Sequence, residues 1–190
     1  MEARALLDAL HMAERLKDET RHCYTSGGRH ESVAEHSWRI ALMAFWMQDD
    51  FPEVDIDKVI RMCLIHDLGE CFIGDIPTFA KTEADEAREE AELMAWVRRL
   101  PETVSGEMAE LYREMIALET PEARLYKSLD KLEAIVQHNE SDIATWEPHE
   151  YALNMTYADD VVAWSPVLRA LREAIRDDTK AKIAAAQQAI

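Results

Sequence analysis

Glycine and proline are scarce, at 5 and 6 of 190 residues, against average usage of about 7% and 5%. Tight turns need both residues, so the shortage argues against a β-rich fold. No apolar run is longer than Ile40–Met47, far short of the ~18 residues needed to span a bilayer. Met1–Leu10 already carries Glu2, Arg4 and Asp8, which does not read as a secretory signal. Basic charge is in deficit: 21 Lys and Arg against 38 Asp and Glu give a net charge of −17. Such a surface repels nucleic-acid backbones and anionic membranes, so neither is expected as a partner. A small anionic ligand stays open where basic residues cluster. The three cysteines, Cys23, Cys63 and Cys71, have no CxxC spacing. They read as free thiols in a reducing cytoplasm, with Cys63 a small core residue.

What is present is helical periodicity. Apolar residues make up 48% of the 21.8 kDa chain, enough for one domain with a sizeable core. Leu6, Leu7, Leu10, Met12 and Leu16 predict a helix over 2–16. Residues 17–31 are polar, contain Gly27-Gly28 and read as an irregular loop. Ser32 caps a helix to about 48, with His36, Ile40, Met43 and Met47 on one face. That segment is apolar nearly all round and is expected to be central. Asp55 caps a helix over 56–68, where Ile56, Ile60, Cys63 and Asp67 share a face. Gly69, Gly74 and Pro77 break the pattern. Thr82 with Asp85 forms a capping box opening an acidic helix to Leu100, stopped by Pro101. A further helix covers about 103–118. Thr120-Pro121 opens one to about Asn139, striped by Leu125, Leu129, Leu132 and Val136. Ser165-Pro166 opens the last, after a less regular stretch around Pro148. No segment alternates like a strand. One all-α domain over 1–190 is expected, with a motif-bearing core at about 17–139 and C-terminal helices over 150–190.

Four residues stand beside these core stripes. His66 and Asp67 continue the inward face of helix 56–68 up to its end. His36 lies on an apolar helix face, and Asp130 follows Leu129 between Lys127 and Lys131. Taken singly, each has a plain explanation: a core histidine bonded to a carbonyl, a helix-end aspartate, a surface ion pair worth little. Burying an ionised Asp costs several kcal/mol unless it is paired or coordinated. Together they form a two-nitrogen, two-oxygen set suited to a borderline divalent ion such as Mn²⁺, Co²⁺ or Zn²⁺.

The order His36…His66-Asp67…Asp130 resembles the H…HD…D pattern of HD-domain metal phosphohydrolases. Three words extend the match: Glu31-Ser-Val-Ala-Glu-His-Ser-Trp-Arg39, His66-Asp-Leu-Gly-Glu-Cys-Phe-Ile-Gly-Asp-Ile-Pro77 and Lys127-Ser-Leu-Asp-Lys-Leu-Glu133. They resemble the branch containing the 5′-deoxynucleotidases, from about Lys17 to Asn139. The resemblance implies an all-helical fold, one divalent metal on His36, His66, Asp67 and Asp130, and hydrolysis of a phosphomonoester, with a nucleotide as substrate. Where those nucleotidases often pair Arg with an aromatic residue, this chain has Arg21 next to His22, with Tyr24 the nearest aromatic. Phe79-Ala-Lys-Thr82 also departs from the better-known members.

Glu70 and Asp75 follow the HD pair in a loop that must run along the pocket, and are expected to orient water and manage protons. Arg21 ranks first for the phosphate because a guanidinium fork matches it, followed by Lys81 and Lys17. Lys127 and Lys131 are expected to pair with Asp130 or Glu133. His22, His30, His138 and His149 read as surface or supporting residues, and the five Trp as core or interface. The family's habit of pairing suggests a homodimer. Two other classes stay open: another HD phosphohydrolase or a two-metal oxygenase, and a nucleotide-binding protein without catalysis. The absence of His between His66 and His138 counts against a His-bridged second metal.

Overall fold

The architecture, given by a computed structural model, is described for residues 2–77 and 80–188. Helix α1 (Ala3–Ala13) ends in a 3₁₀ turn, Glu14–Lys17. Residues 17–31 are not wholly irregular: β1 (Thr20–Tyr24) and β2 (His30–Ser32) form a small antiparallel hairpin. Cys23 is the only buried side chain of β1, so no alternation marked it. The pairing is completed from outside, by a hydrogen bond from Gln137 Nε2 to the Tyr24 carbonyl (2.7 Å).

Ser32 then caps α2 (Val33–Trp46) in a full capping box with Glu35, satisfying two donors that helix starts otherwise leave unpaired. Asp55 caps α3 (Ile56–Ile65). A turn through His66–Gly69 leads into the short α4 (Glu70–Ile73). Thr82 and Asp85 box the start of α5 (Glu83–Val97), and α6 (Glu102–Ala117) ends at Leu118 in the left-handed region. Thr120 caps α7 (Pro121–Glu140), with Pro at its first position. The stretch around Pro148 gives α8 (Glu150–Thr156) and α9 (Asp159–Val162). The last helix is α10 (Pro166–Gln188).

The core surrounds α7, which packs on α2, α3, α6 and α10. Its Leu125, Leu129 and Leu132 are fully buried, and Ile135 takes the fourth place expected of Val136. Each such side chain contributes about 1.5–3 kcal/mol by leaving water. On α2, Val33, Ile40 and Ala44 are fully buried, but Trp38 and Trp46 are 61% and 69% exposed. The helix is therefore central on one side only, and these two Trp are not core. The three cysteines are free and buried. Burial pushes the Cys23 thiol up to about 12 and Cys71 to about 11. Among the described residues, no helix is long and apolar enough to cross a membrane.

Arg172 of α10 is 1% exposed and organises the segment after α7. It donates from Nε to the Tyr157 carbonyl (2.8 Å) and from Nη2 to the Asn154 carbonyl (3.0 Å). Its Nε also lies 3.0 Å from Asp159 Oδ1. One buried guanidinium thereby anchors α8 and α9 against the bundle.

Candidate active site

Three helices deliver the four candidate ligands to one spot. His36 comes from the second turn of α2, His66 and Asp67 from the end of α3, and Asp130 from the middle of α7. His36 Nε2 lies 3.2 Å from Asp130 Oδ1 and 3.9 Å from Asp67 Oδ2. His66 Nε2 lies 2.8 Å from Asp67 Oδ2 and 3.8 Å from Asp130 Oδ1. Donors about 2.0–2.2 Å from one ion are separated by distances of this order. His36, His66 and Asp67 alone place one ligand atom each within a 4.8 Å cluster.

The imidazoles are held from behind. His66 Nδ1 can only donate to the Cys63 carbonyl it faces (2.9 Å). His36 Nδ1 donates to Glu133 Oε2 at 2.5 Å, inside the core. With both Nδ1 atoms protonated, both Nε2 lone pairs face carboxylates, an arrangement that calls for a cation between them. His66 Nε2 and Asp67 Oδ2 are buried and without a hydrogen-bond partner, so this donor set fits a metal ion. Without an ion in the site, burial opposes ionisation of Asp67, yet His66 and then His36, when protonated, outweigh it and hold its carboxyl at about 2. Burial likewise opposes Asp130, and Lys127 Nζ, 2.7 Å from its Oδ2, outweighs it and keeps it ionised. Of the two carboxylates offered to Lys127 and Lys131, Asp130 takes Lys127 and Glu133 takes neither. It sits behind His36 instead, with Arg39 Nη1 at 3.6 Å from its other oxygen. Its place at the end of the word Lys127…Glu133, about one helical turn on from Asp130, is the sequence signal for that role.

These residues open on a cavity of about 470 Å³ that also includes Arg21, Glu70, Asp75 and Lys81. Arg21 Nη1 lies 3.6 Å from Asp67 Oδ2 and its Nε 3.4 Å from the buried Glu31. Burial works against the guanidinium charge, but Asp67, Glu133 and Asp130 overcome it and Arg21 stays charged. Burial, then the charges of Asp67 and Asp75, push Glu70 up to about 11, so in this pocket it holds a proton. Burial and Asp67 raise Asp75 as well, against Arg21.

Gly74 sets the direction of Asp75. Its φ is +82°, and a Cβ there would come within 3.0 Å of Glu19 Oε1. That same oxygen accepts the Asp75 N–H at 3.1 Å. Lys81 also lines the cavity, its Nζ 2.6 Å from Glu89, while Phe79 lies outside the described residues. Lys17 is not brought here. It is exposed and lines a separate cleft with Arg29, Glu35 and Trp38. Of the histidines read as surface or supporting residues, His22 and His138 line the cavity.

Residues 13–171 match the family model described as HD domain. The chain belongs to the HD domain family. This HD domain protein is 35% identical over 150 residues to the human 5′-deoxynucleotidase HDDC2, covering 77% of this chain and 72% of that one. It is 29% identical to the 5′-deoxynucleotidase YGK1 of Saccharomyces cerevisiae, over 79% of this chain and 74% of that one. A solved structure described as "predicted metal-dependent phosphohydrolase", from Magnetospirillum magnetotacticum MS-1, superposes with a TM-score of 0.78 at 30% identity. That match covers 94% of the HD domain protein and 95% of the other chain. The family carries divalent-metal dependence, and the His/Asp group above is able to hold the ion.

Proposed function

We infer that the chain is a phosphomonoesterase of nucleoside 5′-monophosphates, deoxyribonucleotides by the activity named for its human and yeast relatives. The observation that carries this reading is a single cavity joining the His/Asp group to Arg21, Lys81, Glu70 and Asp75. In this reading His36, His66, Asp67 and Asp130 hold one divalent transition metal, Mn, Co or Zn. When bound, the ion supplies Lewis acidity toward a phosphoryl oxygen and acidifies water.

The protein's own groups do the rest. Arg21 and Lys81 meet the non-bridging oxygens of a dianionic phosphate in a pocket that Lys127 and Lys131 also line. Asp75, aimed by Gly74 and Glu19, orients the water. Glu70 handles the proton that the departing 5′ oxygen needs. Lys17 has no part in this scheme. A two-metal oxygenase is disfavoured because the second His/Glu group, Glu31–His36–Glu133, shares His36 and is wholly buried.

A panel of nucleoside and deoxynucleoside monophosphates, assayed for phosphate release with Mn²⁺, Co²⁺ and Zn²⁺, tests the reading. Release from 5′-monophosphates with at least one metal, abolished by chelation, is expected. Nucleotide binding with no release under any metal would make the protein a binder instead.

The reading extends to one working domain in the cytoplasm and to a homodimer. Exposed Trp38, Phe45 and Trp46 on α2, with Leu64, Ile116 and Leu118, leave apolar surface available to a second copy. Sedimentation at micromolar concentration is expected to give about twice the 21.8 kDa chain mass. A single species at the chain mass would rule the dimer out.

A further inference from the structure

The cavity does not end at the phosphate groups. It runs along α7 from Asp130 past Ala134 and Ile135 to His138, and its far wall is α8 with Leu153 and Asn154. His138 lies eight positions after Asp130 on α7, a rise of about 12 Å. That is the reach of one nucleoside beyond its 5′ phosphate. The lining changes character on the way. Charged groups give way to the flat apolar sides of Ala134, Ile135 and Leu153, and polar atoms return at the end.

Those end atoms are held in place but not consumed. Glu150 is 2% exposed. Its Oε2 accepts the Glu147 N–H (2.7 Å). Its Oε1 lies 3.0 Å from His22 Nε2 and 3.4 Å from His138 Nε2. The carboxylate so fixes both rings, and Trp146 packs edge-on against His138 at 5.6 Å. His138 Nδ1 is left buried with no hydrogen-bond partner, and so is Nδ2 of Asn154, a residue 3% exposed. A buried donor or acceptor without a partner is costly. With its Nε2 turned to Glu150, His138 leaves Nδ1 as an acceptor and Asn154 leaves Nδ2 as a donor, and both residues line one cavity, so a ligand that supplies the missing bonds is needed. A planar ring with apolar faces and a hydrogen-bonding edge has that chemistry.

We propose that Asn154 and His138 form a nucleobase subsite that distinguishes nucleotides from other phosphomonoesters. The proposal rests on the nucleotidase reading above. Asn154 contacts Arg172 through its backbone carbonyl, not its side chain, so replacing the side chain leaves that anchor intact.

The test compares kcat/KM for the four 2′-deoxynucleoside 5′-monophosphates with that for 2-deoxyribose 5-phosphate, which lacks a base. The wild-type protein is expected to prefer the best nucleotide by tenfold or more. In Asn154→Leu that ratio is expected to fall about tenfold, the scale of one hydrogen bond. Its Tm without ligand should match or exceed the wild-type value, because an unpaired buried donor has gone. Asn154→Ala serves as a second variant and should lower the same ratio.

Unchanged ratios in both variants would overturn the subsite, as would a marked Tm loss with equal decline on all substrates. Equal wild-type rates with and without a base would overturn it too, while leaving a phosphomonoesterase. No phosphate release from any substrate would overturn the nucleotidase reading itself, and the subsite with it.

Discussion

Asp67→Ala is expected to leave a protein that retains no stoichiometric metal after dialysis and releases no measurable phosphate. Asp67 Oδ2 lies 2.8 Å from His66 Nε2 and 3.6 Å from Arg21 Nη1. Its loss removes an anionic ligand and one of the two carboxylates that face a buried guanidinium. The loss of transition-state stabilisation is several kcal/mol, a fall of about 10³-fold or more in kcat/KM. Metal analysis of the dialysed variant is the decisive measurement, and stoichiometric metal there would remove Asp67 from the ligand set. The metal-free protein carries a pH signature as well. The Asp67 carboxyl is held at about 2 against an ordinary 3.8. A lowered acid stabilises the fold above its unfolded pKa and loses that effect as pH falls through the folded one. The stability gap between wild type and variant should thus narrow as pH drops from about 4 to about 2.

Glu70→Ala and Arg21→Ala should give opposite kinetic signatures from one pocket. Glu70 acts on a proton in transit, so its loss should lower kcat by about 10²-fold or more, the usual scale for a positioned acid or base. KM should change little, because the Glu70 proton is needed at the leaving oxygen in the transition state far more than in the bound substrate. Arg21 meets the phosphate before and during reaction, so its loss should raise KM with a smaller effect on kcat. Initial-rate kinetics over a range of substrate concentrations separate the two. A raised KM with intact kcat in Glu70→Ala would make it a binding group and pass the proton work to Asp75.

The helix starts were readable from sequence because capping is local. Ser32 with Glu35, Asp55, Thr82 with Asp85, and Thr120 before Pro121 each sit within three residues of the donors they satisfy. The convergence of His36, His66, Asp67 and Asp130 was legible only through the family words, since each residue alone has an ordinary structural explanation. The hairpin was not legible. Its strands are short, and the side chain that docks its first strand on the bundle, Gln137, lies 113 residues from Tyr24. Glu133 and Glu31 were missed as inner partners for the same reason: their neighbours are His36 and Arg21, brought in by other elements. His22 and His138 could not be placed in the cavity without Glu150, which lies in the stretch where the helical pattern is weakest.

Arg172 bears on how the protein can be dissected. The quoted motifs end near Asn139, and the family match ends at residue 171, one position short of it. A fragment cut at either boundary would keep every candidate metal ligand and discard the guanidinium that binds the Tyr157 and Asn154 carbonyls. Those carbonyls belong to the far wall of the cavity, so such a fragment would have a metal centre open on one side to bulk water. The smallest piece able to enclose a substrate therefore reaches into α10, some forty residues beyond the last aspartate of the motif.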